Sequence, residues 1–494
     1  MGSTESSRRD FLRRVGAGAA GMIGAPALLT AMEAGREREF IAARGASDAE
    51  GWDRVPEILK RIRVPVFADR TFHITKFGAR GDGHADCTAA IRSAIGACST
   101  AGGGVVVVPP GRFATGPIHL RSNVNLRVES GATILFSTDP RAYLPAVFTR
   151  FEGMELMGYS PLIYAFDQEN VAITGEGTLD GQASDTNWWA WKGNRALGWK
   201  PGDPRQDGAR NKLMELVEAN VPVAQRVLAD GSFLRPMFIQ PYRCRNVLIE
   251  GIRIVNSPMW EIHPCLSTNV TVRNVKIRSH GPNNDGCDPE SCRDVLIEGC
   301  EFDTGDDCIA IKSGRNADGR RLKTPTENVI VRNCVMKDGH GGVTIGSEIS
   351  GDVRWVFAER CTMDSPNLER ALRLKNNAAR GGVLEHIYLR DVTVGQVADS
   401  VVSIDFNYEE GAMGAFTPVA RDINVERVSS RKSRYALFLR GFPNAPITDV
   451  HVTDCQFNNV AQASVTQDVR GLSLNRVAVN GRPVDGTTIA TEPR

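Results

Sequence analysis

From residue 246 onward the chain repeats one short pattern of apolar and polar positions. The piece reads NVLIEGIRI at 246, NVTVRNVKI at 269, DVLIEGCEF at 294, NVIVRNCVM at 328 and WVFAERCTM at 355. It returns as HIYLRDVTV at 386, DINVERVSS at 422, DVHVTDCQF at 449 and GLSLNRVAV at 471. Most copies open on a polar residue and then alternate apolar with polar, the period-2 signal of a strand. One aligned column runs Ile252, Val275, Cys300, Cys334, Cys361, Val392, Val428, Cys455, Val477, in steps of 23, 25, 34, 27, 31, 36, 27 and 22 residues. Units this short cannot be domains, and their uneven length argues against propeller blades. Stacked coils of a parallel β-helix fit both facts, because loops of any length can leave one side while the strands stay in register. The column then becomes an internal ladder with strands ~4.8 Å apart.

Earlier turns belong to the same series at NVNLRVESGATILF (123–136) and NVAITGEGTLDG (170–181). The reading is therefore all-β, with one solenoid domain over residues 71–490. Residues 35–70 are charged and irregular, a lead-in. Residues 185–233 interrupt the coils with NWWAWKG and a helical-looking NKLMELVEANVPVAQRVL, an insertion ahead of the charged turns. Four of the 11 cysteines sit in the column beside valine and isoleucine, which makes them small buried hydrophobes. The odd total and the absence of CxxC pairs speak against a disulfide scaffold or a zinc site. Cys287 and Cys292 are near enough in sequence to be a candidate bridge.

Composition adds the compartment. The chain opens SSRRDFLRRVGAGAAGMIGAPALLTAM, with Arg8 and Arg9 ahead of a weakly apolar stretch. This is the form of a twin-arginine export signal over residues 1–34. Glycines and Pro26 in the apolar part disfavour a stable membrane span. A periplasmic or secreted protein is expected, with no membrane partner. Without those residues the charges balance at 55 of each sign, which argues against nucleic acid as a partner. A polyanionic substrate would have to be held by local positive groups. A monomer is expected.

Such groups exist. GDDCIAIKSGR places Asp306 and Asp307 side by side, and Asp285 in PNNDGCDPES lies 21 residues earlier. His340 in DGHGG follows Asp306 by 34 residues, Arg373 and Lys375 in RALRLK come 33 after that, and Tyr408 lies 35 beyond Arg373. These steps match the coil lengths of the apolar column, so five consecutive turns can line one groove. Taken singly, each group has a plain explanation as a turn, a cap or a solvated face; their shared register does not. Three crowded carboxylates cannot all ionise easily, so one is expected to keep a proton near neutral pH. An acid and a base together are what glycoside hydrolysis needs. Both adjacent aspartates can face the groove only if the chain leaves regular strand geometry there, with Gly305 permitting the turn. Arg373 and Lys375, two apart on a strand, share a face and form a cationic site for an acidic sugar.

The motifs NNDG (283–286), GDD (305–307), GHG (339–341) and RLK (373–375), in that order, resemble the signatures of the polygalacturonase family, glycoside hydrolase family 28. FGARGDGHADCTAAIRSAI and GGGVVVVPPGRF near the start are similar to that family's opening, and the likeness runs over roughly residues 72–480. The resemblance implies a right-handed, pectin-lyase-like β-helix that hydrolyses α-1,4-galacturonosyl bonds in pectic polysaccharide or oligogalacturonide with inversion. It implies Asp306 as general acid, Asp285 and Asp307 holding and deprotonating water, and His340 supporting the acid. It also implies Arg373, Lys375 and Tyr408 around the substrate carboxylate, with Asn283 as a sugar contact and Lys312 as a further substrate-binding candidate. No cofactor or metal is implied. Asn284 stands where threonine is commoner and Leu374 where isoleucine is. Related readings are a rhamnogalacturonan or xylogalacturonan hydrolase. The retained asparagine and GHG favour galacturonan, and the insertion suggests action from a chain end. Rivals of another class are a calcium-dependent pectate lyase, with the three aspartates as ligands, and a non-catalytic glycan-binding β-helix.

Overall fold

The computed structural model describes residues 51–489, so the proposed export signal lies outside the described residues. From Val55 onward the chain forms one compact unit. Its strands, from Thr71–His73 to Arg482–Val484, build a right-handed parallel β-helix with three walls. The first wall is a sheet of 13 strands, all pairing in parallel, and the second is a sheet of 14 in which only the last pair is antiparallel. The third wall is a 3-stranded piece and a 6-stranded piece, joined by single bridges from Ile239 through Ile262 and Cys287 to Ile309.

The apolar column lies at the corner between the first and second walls, and every member is at most 2% exposed. Here the coil register is explicit: the N–H of Lys276 donates to the carbonyl of Ile252, that of Glu301 to Val275, and that of Val335 to Cys300. The polar residue opening each repeat also has a physical reason. Asn246, Asn269, Asp294, Asn328, Asp422 and Asp449 all sit at φ between 53° and 59°, left-handed backbone that Asn and Asp tolerate best outside glycine. Their side chains stack into a ladder: Asn170 donates to Asn123, Asn246 to Asn170, Asn269 to Asn246 and Asn328 to Asp294. Each such bond contributes about 1 kcal/mol net.

Two expectations need correction, and the open question of a Cys287–Cys292 bridge is answered. The lead-in is not irregular throughout: helix α1 (Arg54–Arg61) buries Val55 and Ile58, and Arg61 pairs with Asp294 at 2.7 Å. All 11 cysteines are free, so Cys287 and Cys292 are not bridged. Cys287 pairs with strands of the third wall, whereas Cys292 leads into the Arg293–Glu298 strand of the first, so a corner separates them. Within the insertion the helix α3 (Asp207–Glu218) stops well before residue 228, because Pro222 removes a backbone donor and the chain passes to a short 3-10 turn, Val223–Gln225. Two elements lacked a legible signal. Helix α2 (Thr88–Thr100) packs on the first strands. A hairpin of Val147–Phe151 and Met154–Gly158 packs with α3 in a small second core that includes Leu156, Leu213 and Trp260. Among the described residues no helix is long and apolar enough to cross a membrane.

Candidate active site

The groups expected to converge do converge, on the third wall. The N–H of Gly286 donates to the carbonyl of Asp307 and that of Cys308 to Gly341, which stacks the Asp285, Asp307 and His340 segments coil on coil. Carboxylate oxygens of Asp285, Asp306 and Asp307 lie within 4.8 Å of one another. Between the strands Glu301–Thr304 and Ile309–Ile311 the chain bends, and the bend turns both adjacent aspartates to one side. Gly305 matters for a different reason than expected. It is not in the left-handed region; a Cβ there would stand 2.4 Å from the carbonyl oxygen of Gly281 on the preceding coil. Likewise a Cβ on Gly341 would meet Thr344 Oγ1 at 2.2 Å and Asp307 Oδ1 at 3.0 Å, so the glycine after His340 makes room for the carboxylate.

The three acids are held in three different ways. Asp307 is fully buried; it accepts from Lys375 Nζ at 2.7 Å, Thr344 Oγ1 at 2.9 Å and Arg373 at 3.4 Å. Burial raises its pKa, but Lys375 and Arg373 outweigh that and keep it below the usual range. Asp306 is partly open and accepts from His340 Nδ1 at 3.0 Å. Burial pushes it up, and the His340 hydrogen bond and charge pull it well below the ordinary carboxylate value. The same hydrogen bond lifts His340 to about 9. Asp285 has the opposite fate: burial first, then the charge of Asp306, push it up to about 8. One carboxyl therefore keeps a proton at neutral pH, as crowding requires, and in the unliganded site that carboxyl is Asp285. The second proton of the cluster sits on the His340–Asp306 pair.

Arg373 and Lys375 project from the strand Arg370–Lys375 while Leu372 and Leu374 point into the core. The ring of Tyr408, just beyond the next strand, lies 5.2 Å from Lys375 Nζ and 5.7 Å from the Arg373 guanidinium. The three residues line one end of a cavity of about 260 Å³. Lys312 does not belong with them. Its side chain is 2% exposed, 3.3–3.5 Å from Asp285, Asp288 and Glu348 and 4.3 Å from the centre of the Trp260 ring, beneath the floor. Buried there, it is out of reach of a sugar; its charge partly offsets the upward shift that burial and Asp306 impose on Asp285. Asn283 Oδ1 accepts from Lys192 at 2.9 Å and from Arg235 at 2.8 Å.

Those two cations were missed in the sequence. Lys192 closes the NWWAWK turn of the insertion, whose Trp189 indole donates to the carbonyl of Ser257. Arg235 follows the insertion, is buried, and also donates to the carbonyls of Pro258 and Pro282. The insertion thus reaches the site next to Asn283. Burial lowers the pKa of Lys192 and takes Arg235 down to about 10. By ligand type the three aspartates could hold a cation, as could His280, Asp303 and Asp338 elsewhere. Around the three aspartates, however, Lys375, Arg373, Lys312 and His340 already balance the negative charge, and bound calcium would have to overcome them.

The chain is similar to proteins already known. The family model for glycosyl hydrolases family 28 matches residues 229–473, and one for rhamnogalacturonase A/epimerase, pectate lyase-like, matches 71–136. A crystal structure of a hyperthermoactive exopolygalacturonase from Thermotoga maritima is 48% identical, covering 86% of this chain and 95% of that one, with a TM-score of 0.84. A probable polygalacturonase from Vitis vinifera is 28% identical over 86% of this chain and 83% of its own. An exo-poly-alpha-D-galacturonosidase from Dickeya chrysanthemi is 26% identical over 85% and 75% respectively. With the fold, the four ordered motifs and these likenesses in agreement, the chain belongs to the family 28 glycoside hydrolases.

Proposed function

We propose that this chain hydrolyses α-1,4-galacturonosyl bonds in pectic polysaccharide or oligogalacturonides, with inversion and from a chain end. The observation that carries the reading is the set of three carboxylates within 4.8 Å beside the Arg373–Lys375 pair. Asp306 protonates the leaving glycosidic oxygen. Its proton comes from His340 Nδ1, 3.0 Å away. A bound uronate brings negative charge and excludes water, and both effects raise Asp306 and draw the proton onto it. The attacking water lies between Asp285 and Asp307; Asp285 in its protonated form orients it, and Asp307, anionic beside Lys375, takes its proton. One proton is given and one taken, so the cluster resets by exchange with solvent. The oxygens are closer than the ~6.5–9.5 Å usual between an inverting pair of carboxyl groups. A third carboxyl reconciles this, since the water is gripped by two acids rather than placed opposite one.

Action from a chain end is supported by the insertion, which brings Lys192 against Asn283, and by the likeness to an exopolygalacturonase and an exo-poly-alpha-D-galacturonosidase. The export signal at residues 1–34 suits a polymer met outside the cytoplasm. Brief digests of polygalacturonate, xylogalacturonan and rhamnogalacturonan backbones, separated by chromatography, test the assignment. Galacturonate monomer or a short unit should appear from polygalacturonate alone, with little early loss of viscosity, and proton NMR should show the β anomer first. Unsaturated products absorbing in the ultraviolet, or a rapid viscosity drop, would contradict it.

A further inference from the structure

The cavity at Arg373, Lys375 and Tyr408 does not end with them. It continues along the third wall past the strands Ser400–Asp405 and Tyr435–Arg440, to Arg434 and Tyr435. The walls carry five cationic side chains, Arg370, Arg373, Lys375, Arg434 and Arg440, against two carboxylates, Asp399 and Asp405. Both carboxylates are committed: Asp399 to Arg370 at 3.0 Å, and Asp405 to Arg440 at 2.7 Å. Arg373 and Lys375 face Asp307. Arg434 alone among the five has no carboxylate partner among the described residues; its Nε donates to Gln462 Oε1 at 3.2 Å, and its guanidinium lies 5.0 Å from the ring of Tyr435. Its backbone is fixed, since Arg434 N–H and Tyr435 N–H both donate to the carbonyl of Asp399. The register Arg370–Ser400–Tyr435 puts it two strand spacings, ~10 Å, beyond the level of Arg370.

We propose that Arg434, with Tyr435 beside it, is a second uronate reader: it binds the carboxylate of the sugar one position beyond the one held by Arg373 and Lys375, on the leaving-chain side. A sugar ring seated there has the aromatic face of Tyr435 to lie against and a guanidinium, already oriented by Gln462, to pair with its carboxylate. The ligand class is a galacturonide of three or more units with a free carboxylate on its third sugar. This rests on the hydrolase reading above.

The test measures kcat/KM on di- and trigalacturonate, and on trigalacturonate methyl-esterified only at the reducing-end sugar, for the wild type and Arg434→Ala. An exposed guanidinium pairing with one carboxylate gives about three- to tenfold. The variant should lower the trimer-to-dimer ratio by that factor. Esterification should lower wild-type turnover of the trimer by the same factor and leave that of Arg434→Ala almost unmoved, which ties the effect to this pair. Equal losses on dimer and trimer, or an ester effect of equal size in both proteins, would overturn the proposal. If the wild type cleaves none of the galacturonides, the hydrolase reading fails and this inference with it; if it cleaves them with a trimer-to-dimer ratio indifferent to Arg434, only the inference fails.

Discussion

Replacing His340 by glutamine probes the proton supply directly. The imidazole Nδ1 is 3.0 Å from Asp306 Oδ1, and this hydrogen bond lifts His340 to about 9 and pulls Asp306 down. At neutral pH the cluster therefore holds two protons, one on His340 and one on Asp285, whose own value is about 8. If both are needed, log(kcat/KM) should fall with a slope approaching two protons once the pH passes 8–9, and with a slope of one in His340→Gln. Loss of the proton reservoir for the general acid should lower kcat at pH 7 about 10²-fold, the lower end for acid–base groups. The stability side has a definite sign. A histidine raised in the folded state stabilises fully below its unfolded value of ~6.5 and loses that contribution as pH rises through the folded value. The depressed Asp306 contributes above its unfolded value and loses it in acid. His340 is 46% exposed, so solvent screening limits the pair to about 1 kcal/mol. In a folded body of this size that is a Tm lower by about one degree at pH 6 for His340→Gln, and equal to the wild type at pH 10. Kinetic pH profiles and thermal melts at both pH values measure this. An unchanged alkaline slope together with an unchanged kcat would refute the proton-supply argument.

Lys312→Met should act through stability and through Asp285 rather than through substrate affinity, because the ammonium is buried among three carboxylates. Breaking such a buried set costs about 3–5 kcal/mol, readable as a large Tm loss, whereas a rise in KM with Tm preserved would restore Lys312 as a sugar contact. In Lys375→Met, Asp307 loses its 2.7 Å partner and should take up a proton near neutral pH; turnover should then fall steeply below pH 7 and recover in part at higher pH, and a flat profile would argue against Asp307 as base. Cys334→Val should be tolerated within about 1 kcal/mol while Cys334→Ser costs about 1–3 kcal/mol, since that thiol fills an apolar corner; denaturant melts separate the two. The native protein should give no prompt thiol reaction, all 11 cysteines being buried.

What the sequence by itself determined was everything that recurs once per coil. Asn246, Asn269 and Asn328 mark the left-handed corners and Val275 and Cys300 the apolar ladder, and because each copy marks one coil whatever its loop length, they carry Asp285, Asp306, His340 and Arg373 to one wall. Tertiary structure decided whatever depends on non-periodic neighbours. Nothing around Arg235 or Lys192 in the chain says that both reach Asn283, because an insertion folds back by packing that no repeat encodes. Lys312 reads as a groove residue until Asp288 and Glu348, from two other coils, close over it. The proton lies on Asp285 rather than on the acid beside His340 for a similar reason: burial and the distances to each countercharge set a pKa, and spacing along a strand contains neither.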